Sequence, residues 1–141
     1  MGQAYTLLLV EDEENILYGM QSVLSCYLEE ISEVYIARNG KEALDIIRKE
    51  KISIIISDLR MPEMNGVEMI KKIREKEYDI PIIVLTALAD FKLAQELIPL
   101  RIESYILKPK KKRSTGKSGK DFAKISGTVG RTRISRGKSF D

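Results

Sequence analysis

Short apolar runs alternate with stretches of helical period from residue 5 to residue 109, and there the pattern stops. Tyr5–Val10 (YTLLLV) is almost continuously apolar, as expected of a strand covered on both faces. Residues 13–28 place Ile16, Leu17, Met20, Val23, Leu24 and Tyr27 at helical spacing. Residues 33–38 (EVYIAR) alternate more clearly, which suits a sheet edge. Asn39 reads as an N-cap that opens a helix through Ala43, Leu44, Ile46 and Ile47. Residues 52–57 (ISIIIS) are the most buried-looking strand and lead to Asp58. After the loop LRMPEMNG, residues 67–76 predict a helix with Val67, Ile70 and Ile73 on one face. Pro81 precedes a strand over Ile82–Thr86 (IIVLT). Residues 89–98 predict a helix stopped by Pro99, and Ser104–Leu107 (SYIL) is the last strand.

Five strand segments separated by helices predict an α/β fold, a parallel sheet with helices on both faces. Right-handed crossovers restrict it to a few doubly wound topologies. The 141 residues suffice for one domain with its own core, placed here at residues 1–109. The remainder, KKKRSTGKSGKDFAKISGTVGRTRISRGKSFD, has isolated apolar residues and no sustained period, so residues 110–141 are expected to be a disordered basic tail.

Charge sharpens that boundary. Residues 1–109 hold 13 Lys/Arg and 19 Asp/Glu, a balance of −6. Residues 110–141 hold 11 Lys/Arg and 2 Asp, a balance of +9, so the net +3 conceals two kinds of polypeptide. A cluster of lysines and arginines neutralises phosphates, so nonspecific, salt-sensitive nucleic-acid binding by the tail enters as an expectation. Specific recognition does not, because the tail carries no recognisable fold.

Composition excludes several chemistries. No apolar run approaches the roughly 18–20 residues of a membrane helix, and the start of the chain shows no secretion signal, so no membrane association and a cytoplasmic location are expected. The single cysteine, Cys26, lies in an apolar helical pattern and reads as a buried, inert thiol. Histidine is absent, which removes the commonest general base and any His-containing zinc site. Carboxylates, hydroxyls and lysines are left to do chemistry.

Those groups gather at strand ends. Glu11 and Asp12 follow the first strand, Asp58 the third, Thr86 ends the fourth and Lys108 follows the fifth. Open α/β sheets bind ligands at the carboxyl ends of their strands, where strand order reverses. If the order is 2-1-3-4-5, the first and third strands adjoin and three carboxylates meet. Such a group repels itself unless a cation joins it, and Mg²⁺ with a few waters is the natural choice. Lys108 and the Thr86 hydroxyl would then receive an incoming anion, which is equipment for phosphoryl transfer to a carboxylate. Each piece has a plainer reading. Asp12 serves equally as an N-cap, Asp58 as a turn residue, Thr86 as a strand residue and Lys108 as a chain exit. Their joint placement carries the argument.

The segments LLLVEDEENI, SDLRMPEMNG, IIVLTA and SYILKP resemble, in order and spacing, the signature segments of response-regulator receiver domains, over residues 5–109. The resemblance implies a flavodoxin-like (βα)₅ fold with order 2-1-3-4-5, and phosphoryl transfer from a partner histidine kinase. It implies that Asp58 is the phosphoacceptor and that Glu11 and Asp12 bind Mg²⁺, Asp12 more directly, with the Arg60 backbone carbonyl as a further ligand. By the same resemblance Thr86 is the switch hydroxyl, Tyr105 the switch aromatic and Lys108 the phosphate-pairing lysine. DFKLAQEL and YILKP look most like receivers of regulators with an AraC-type DNA-binding domain, so a part in transcription regulation is implied. Members of the family continue with an amphipathic fifth helix. Here the basic tail stands in its place, so that helix is expected to be missing or atypical. The sheet beneath would then lie open and favour a homodimer.

The expected role is therefore a signalling switch and not an enzyme. An Asp-nucleophile phosphatase is a poor alternative, because such enzymes need a second acid two residues after the nucleophile and Arg60 stands there. A phosphorylation-independent interaction module acting through the tail is the other alternative.

Overall fold

The computed structural model describes residues 5–27, 31–87 and 91–107, with the side chains of residues 23, 25–27 and 91 set aside. Five parallel strands form one sheet: β1 (Tyr5–Val10), β2 (Ile31–Ala37), β3 (Ile54–Asp58), β4 (Ile82–Thr86) and β5 (Ser104–Leu107). Their order is β2-β1-β3-β4-β5, with β2 at one edge and the first and third strands adjacent. Helices α1 (Glu14–Tyr27), α2 (Gly40–Lys49), α3 (Gly66–Glu75) and α4 (Phe91–Gln95) fill the crossovers, and a 3-10 helix spans Ile98–Leu100. This is the flavodoxin-like doubly wound arrangement.

Strand composition explains the sheet. Leu7, Leu8, Leu9 and Val10 are all fully buried, which needs helices on both faces. Leu8, Val10, Ile55 and Val84 point toward α2 and α3, where Ala43, Ile47, Val67, Ile70 and Ile73 meet them. Leu7, Leu9, Ile54, Ile56, Ile83, Leu85 and Ile106 point the other way, into a cluster with Ile16, Leu17, Met20 and Leu24 of α1. Each fully buried side chain of this size stabilises the fold by roughly 1.5–3 kcal/mol.

The sequence pattern and the structure differ in three places. First, β2 begins at Ile31, two residues before the predicted start at residue 33. Tyr5 pairs with Ile31 but Thr6 with Glu33, so the register slips and Ser32 is taken up in a bulge. Second, β3 starts at Ile54 and includes Asp58. Third, α4 is five residues long and not ten, although residues 88–90 lie outside the description. The Glu96 and Leu97 amides bond back only three residues, to Leu93 and Ala94, so the helix tightens before Pro99, which sits inside the 3-10 helix. Proline lacks the N–H that would continue an α-helix and disfavours helical geometry in the residue before it.

Ile83 and Leu85 are 0% exposed and Ile106 is 8% exposed. The fifth helix, Lys108, the tail at 110–141 and the Cys26 thiol lie outside the described residues and side chains.

Candidate metal centre

The order 2-1-3-4-5 brings the carboxyl ends of β1 and β3 side by side, with Val10 opposite Ser57. The next residues, Glu11, Asp12 and Asp58, form the site. One carboxylate oxygen from each lies within 4.8 Å of the others. Glu11 is 0% exposed and Asp58 2%, while Asp12 is exposed at the mouth. Two buried carboxylates beneath a third are costly unless paired or bound to a cation.

Local hydrogen bonds fix the two buried groups. The Leu59 amide donates to Asp58 Oδ1 at 2.7 Å and sets the rotation of that carboxylate. The Ser57 hydroxyl donates to the Asp58 carbonyl at 2.8 Å. The Glu11 amide stays in the sheet by donating to the Ala37 carbonyl at 2.9 Å. Glu11 Oε2 accepts from the Glu13 amide at 3.0 Å, which shapes the turn into α1.

The donor set suits a small hard cation. An octahedral Mg²⁺ about 2.1 Å from its ligands separates neighbouring ligand atoms by about 3 Å and opposite ones by about 4.2 Å. Three carboxylate oxygens within 4.8 Å need only a small contraction to meet that spacing. Oxygen donors without histidine or thiolate point the same way.

Thr86 ends β4 opposite Leu107 of β5, one strand away from Asp58, which lies opposite Leu85. Beside Thr86 a cavity of about 350 Å³ opens between α4 and β5, lined by Ala94, Ile98, Tyr105 and Leu107 among others. Tyr105 is 46% exposed at its rim, and burial of part of the ring raises its phenol pKa above the usual 10.0. Tyr35, on the distant edge strand, is likewise raised, by desolvation first and then by the Glu50 carboxylate.

Three supporting residues were not singled out by the sequence pattern. Gly66 opens α3 directly against the site: a Cβ there would lie 2.4 Å from the Asp58 carbonyl oxygen and 2.9 Å from Leu59 Cα. Its amide donates to the Leu59 carbonyl at 2.8 Å. Asn65 caps α3 by accepting from the Glu68 amide at 2.9 Å, while Glu68 accepts from the Asn65 amide, a capping box. The signal was present in MNGVE, where Asn-Gly is followed by Glu at the third helical position. Ser57 had no signal beyond its place before Asp58.

With this geometry in hand, comparison with known proteins is decisive. The response regulator receiver domain model matches residues 7–116. The chain belongs to that family. Transcriptional regulatory protein YesN of Bacillus subtilis is 35% identical over 105 residues, covering 74% of this chain and 28% of the relative. Sporulation initiation phosphotransferase F of the same species is 30% identical over 104 residues, covering 73% of this chain and 81% of that protein. Among solved structures, the chemotaxis response regulator CheY4 of Vibrio cholerae superposes with a TM-score of 0.71 at 26% identity, covering 90% of this chain and 99% of the other. The receiver thus spans under a third of YesN but most of the phosphotransferase. Among the described residues no helix is long and apolar enough to cross a membrane.

Proposed function

We propose that this receiver domain accepts a phosphoryl group on Asp58 from a histidine kinase in the cytoplasm and responds by changing conformation. The observation that carries the reading is the meeting of Glu11, Asp12 and Asp58 within 4.8 Å at the end of β1 and β3. Asp12, Asp58 and the Arg60 carbonyl would hold Mg²⁺ directly, with Glu11 behind them. Held there, the ion would supply positive charge to neutralise an incoming phosphoryl group.

The chain's own part is positioning. The Leu59 amide holds Oδ1 and so presents the carboxylate in one orientation. As the oxygen–phosphorus bond to Asp58 forms, the phosphorus–nitrogen bond to the kinase histidine breaks and its electron pair stays on that nitrogen. The product adds about −1.5 to −2 charges. Lys108 is the cation expected to pair with it, and the Thr86 hydroxyl is within one strand of it. Thr86 moving toward the phosphoryl group would vacate space beside the cavity, and Tyr105 at the rim would turn in. As in YesN, whose name makes it a transcriptional regulator, the output proposed for a longer protein bearing this domain is transcription.

The domain boundary at Pro109 and the separate basic tail are kept in this reading on the charge division between residues 1–109 and 110–141. Family membership favours a signalling domain, with no turnover beyond loss of its own phosphoryl group. The test is treatment with acetyl phosphate and Mg²⁺, followed by location of the added mass. A single addition on Asp58, absent from Asp58→Asn, is expected. Mass on Glu11 or Asp12, or mass that persists in Asp58→Asn, refutes the proposal.

A further inference from the structure

Arg74, at the end of α3 remote from the metal centre, donates to four backbone carbonyls at once. Its Nε reaches Leu100 at 2.9 Å, and one terminal nitrogen reaches Tyr78 at 2.9 Å and Ile80 at 3.0 Å. The other terminal nitrogen reaches Arg101 at 3.0 Å. Tyr78 and Ile80 belong to the connection that leads into β4, and Leu100 and Arg101 to the one that leads into β5. A guanidinium offers five donors in a rigid fork, and a lysine cannot reproduce that pattern.

The two connections need holding. Glu77 (φ 64°) and Arg101 (φ 57°) are in the left-handed region, which residues with a side chain seldom occupy and which surrounding contacts must impose. One of these, Arg101, gives its carbonyl to Arg74. Partial burial, with Arg101 nearby, lowers the Arg74 pKa, yet a guanidinium stays protonated in a protein.

The opposite end of α3 is fastened just as closely, to the phosphoacceptor loop. Gly66 bonds to the Leu59 carbonyl and leaves no room for a side chain against Asp58. The ten residues of α3 therefore form a rod of about 15 Å. One end rests on the Asp58 loop. The other is clamped to the roots of β4, which ends in Thr86, and of β5, which carries Tyr105 as its second residue.

We infer that Arg74 is a positioning residue for the conformational response, coupling the Asp58 loop through α3 to the roots of β4 and β5. It rests on the phosphoacceptor reading above. A displacement of the loop after Asp58 is carried by α3 as a unit, and the four bonds pass it to both connections together. Without them, Asp58 still takes up phosphate, but Thr86 and Tyr105 respond incompletely.

The experiment compares the full chain with Arg74→Gln, Arg74→Lys and Ile73→Val, the last a core control that loosens α3 packing without touching the four carbonyls. Two quantities are read in each: the rate of Asp58 labelling by acetyl phosphate with Mg²⁺, and the Tyr105 ring signal after beryllofluoride, by NMR with carbon-13 tyrosine. Tyr105→Phe identifies the signal among the six tyrosines. In Arg74→Gln the labelling rate stays close to the parent's, while the equilibrium constant between moved and unmoved Tyr105, read from the two signal populations, falls about fivefold, the lower end of ordinary coupling between sites. Arg74→Lys is intermediate and folds even if Arg74→Gln does not, because it keeps the charge. Ile73→Val lowers the melting temperature but keeps the full Tyr105 response. A full Tyr105 response in folded Arg74→Lys and Arg74→Gln overturns the inference. So does a loss of response in Ile73→Val equal to that in the Arg74 variants, which would mark a stability effect. An unlabelled parent chain overturns the phosphoacceptor reading itself, and this inference with it.

Discussion

The meeting of Asp58, Glu11 and Asp12 was legible from sequence, because polar residues that end adjacent apolar strands must surface at one sheet edge. Their unequal burial was not legible, since Glu11 goes under the turn into α1 and Asp12 stays at the mouth. That difference assigns different losses. Asp12→Ala is expected to abolish both Mg²⁺ binding and labelling by acetyl phosphate. Glu11→Gln keeps the shape of the side chain and is expected to weaken Mg²⁺ binding by about 10–100-fold, the range for groups just behind a metal's ligands. Titration with Mg²⁺ separates the two. If Asp12→Ala is labelled as fast as the parent, the metal has been placed on the wrong carboxylates. Gly66 makes a sharper steric case, because its neighbour is backbone and cannot rotate away. Gly66→Ala should destabilise the fold by about 1–3 kcal/mol, as overpacking does. It should also slow labelling, because the Asp58 carbonyl must shift. Unchanged melting and labelling would show that the loop yields freely.

At the scale of elements, β1, β4 and β5 were read from sequence with their observed limits. Their apolar runs are bounded by strong punctuation, such as Pro81 and the charged residues after Val10. The start of β2 was missed because a bulge depends on the partner strand, and α4 was overextended because apolar spacing continues past the point where Pro99 forces tighter turns. Both errors are tertiary or backbone effects that a hydrophobic pattern does not encode. The short α4 leaves Ile98 73% exposed and Leu107 51% exposed around the cavity beside Thr86. Tyr105 at its rim supplies a measurable sign. Desolvation disfavours the phenolate, so its pKa in the folded chain stands above the ordinary 10.0. The associated stabilisation is present below pH 10 and is lost as pH rises through the raised value. Turning the ring inward deepens its burial, so beryllofluoride with Mg²⁺ should raise the Tyr105 pKa further. A pH titration followed by NMR reads this directly. A pKa that falls or stays fixed on beryllofluoride addition means that Tyr105 does not enter the cavity.

For the whole molecule, the division of charge is the feature that the receiver fold does not account for. Residues 1–109 carry a balance of −6 and residues 110–141 a balance of +9. The acidic part suits the proposed phosphoacceptor role, since a metal ion would be drawn to a negative edge. It also discourages contact between the folded domain and a polyanion. The basic part does the reverse, and its effect on binding depends on charge alone, whatever its conformation. Association with duplex DNA is therefore expected to be independent of base sequence and governed by the release of counterions. If about five of the basic side chains neutralise phosphates, the affinity should fall about 500-fold between 50 and 200 mM salt. A chain ending at Pro109 should not bind at either salt concentration, because only the negative balance remains. Fluorescence anisotropy with labelled duplexes of unrelated sequence decides it. Binding that survives the deletion would place the contact on the receiver itself. Affinity that differs strongly between duplexes would show specific recognition, which the charge argument does not supply.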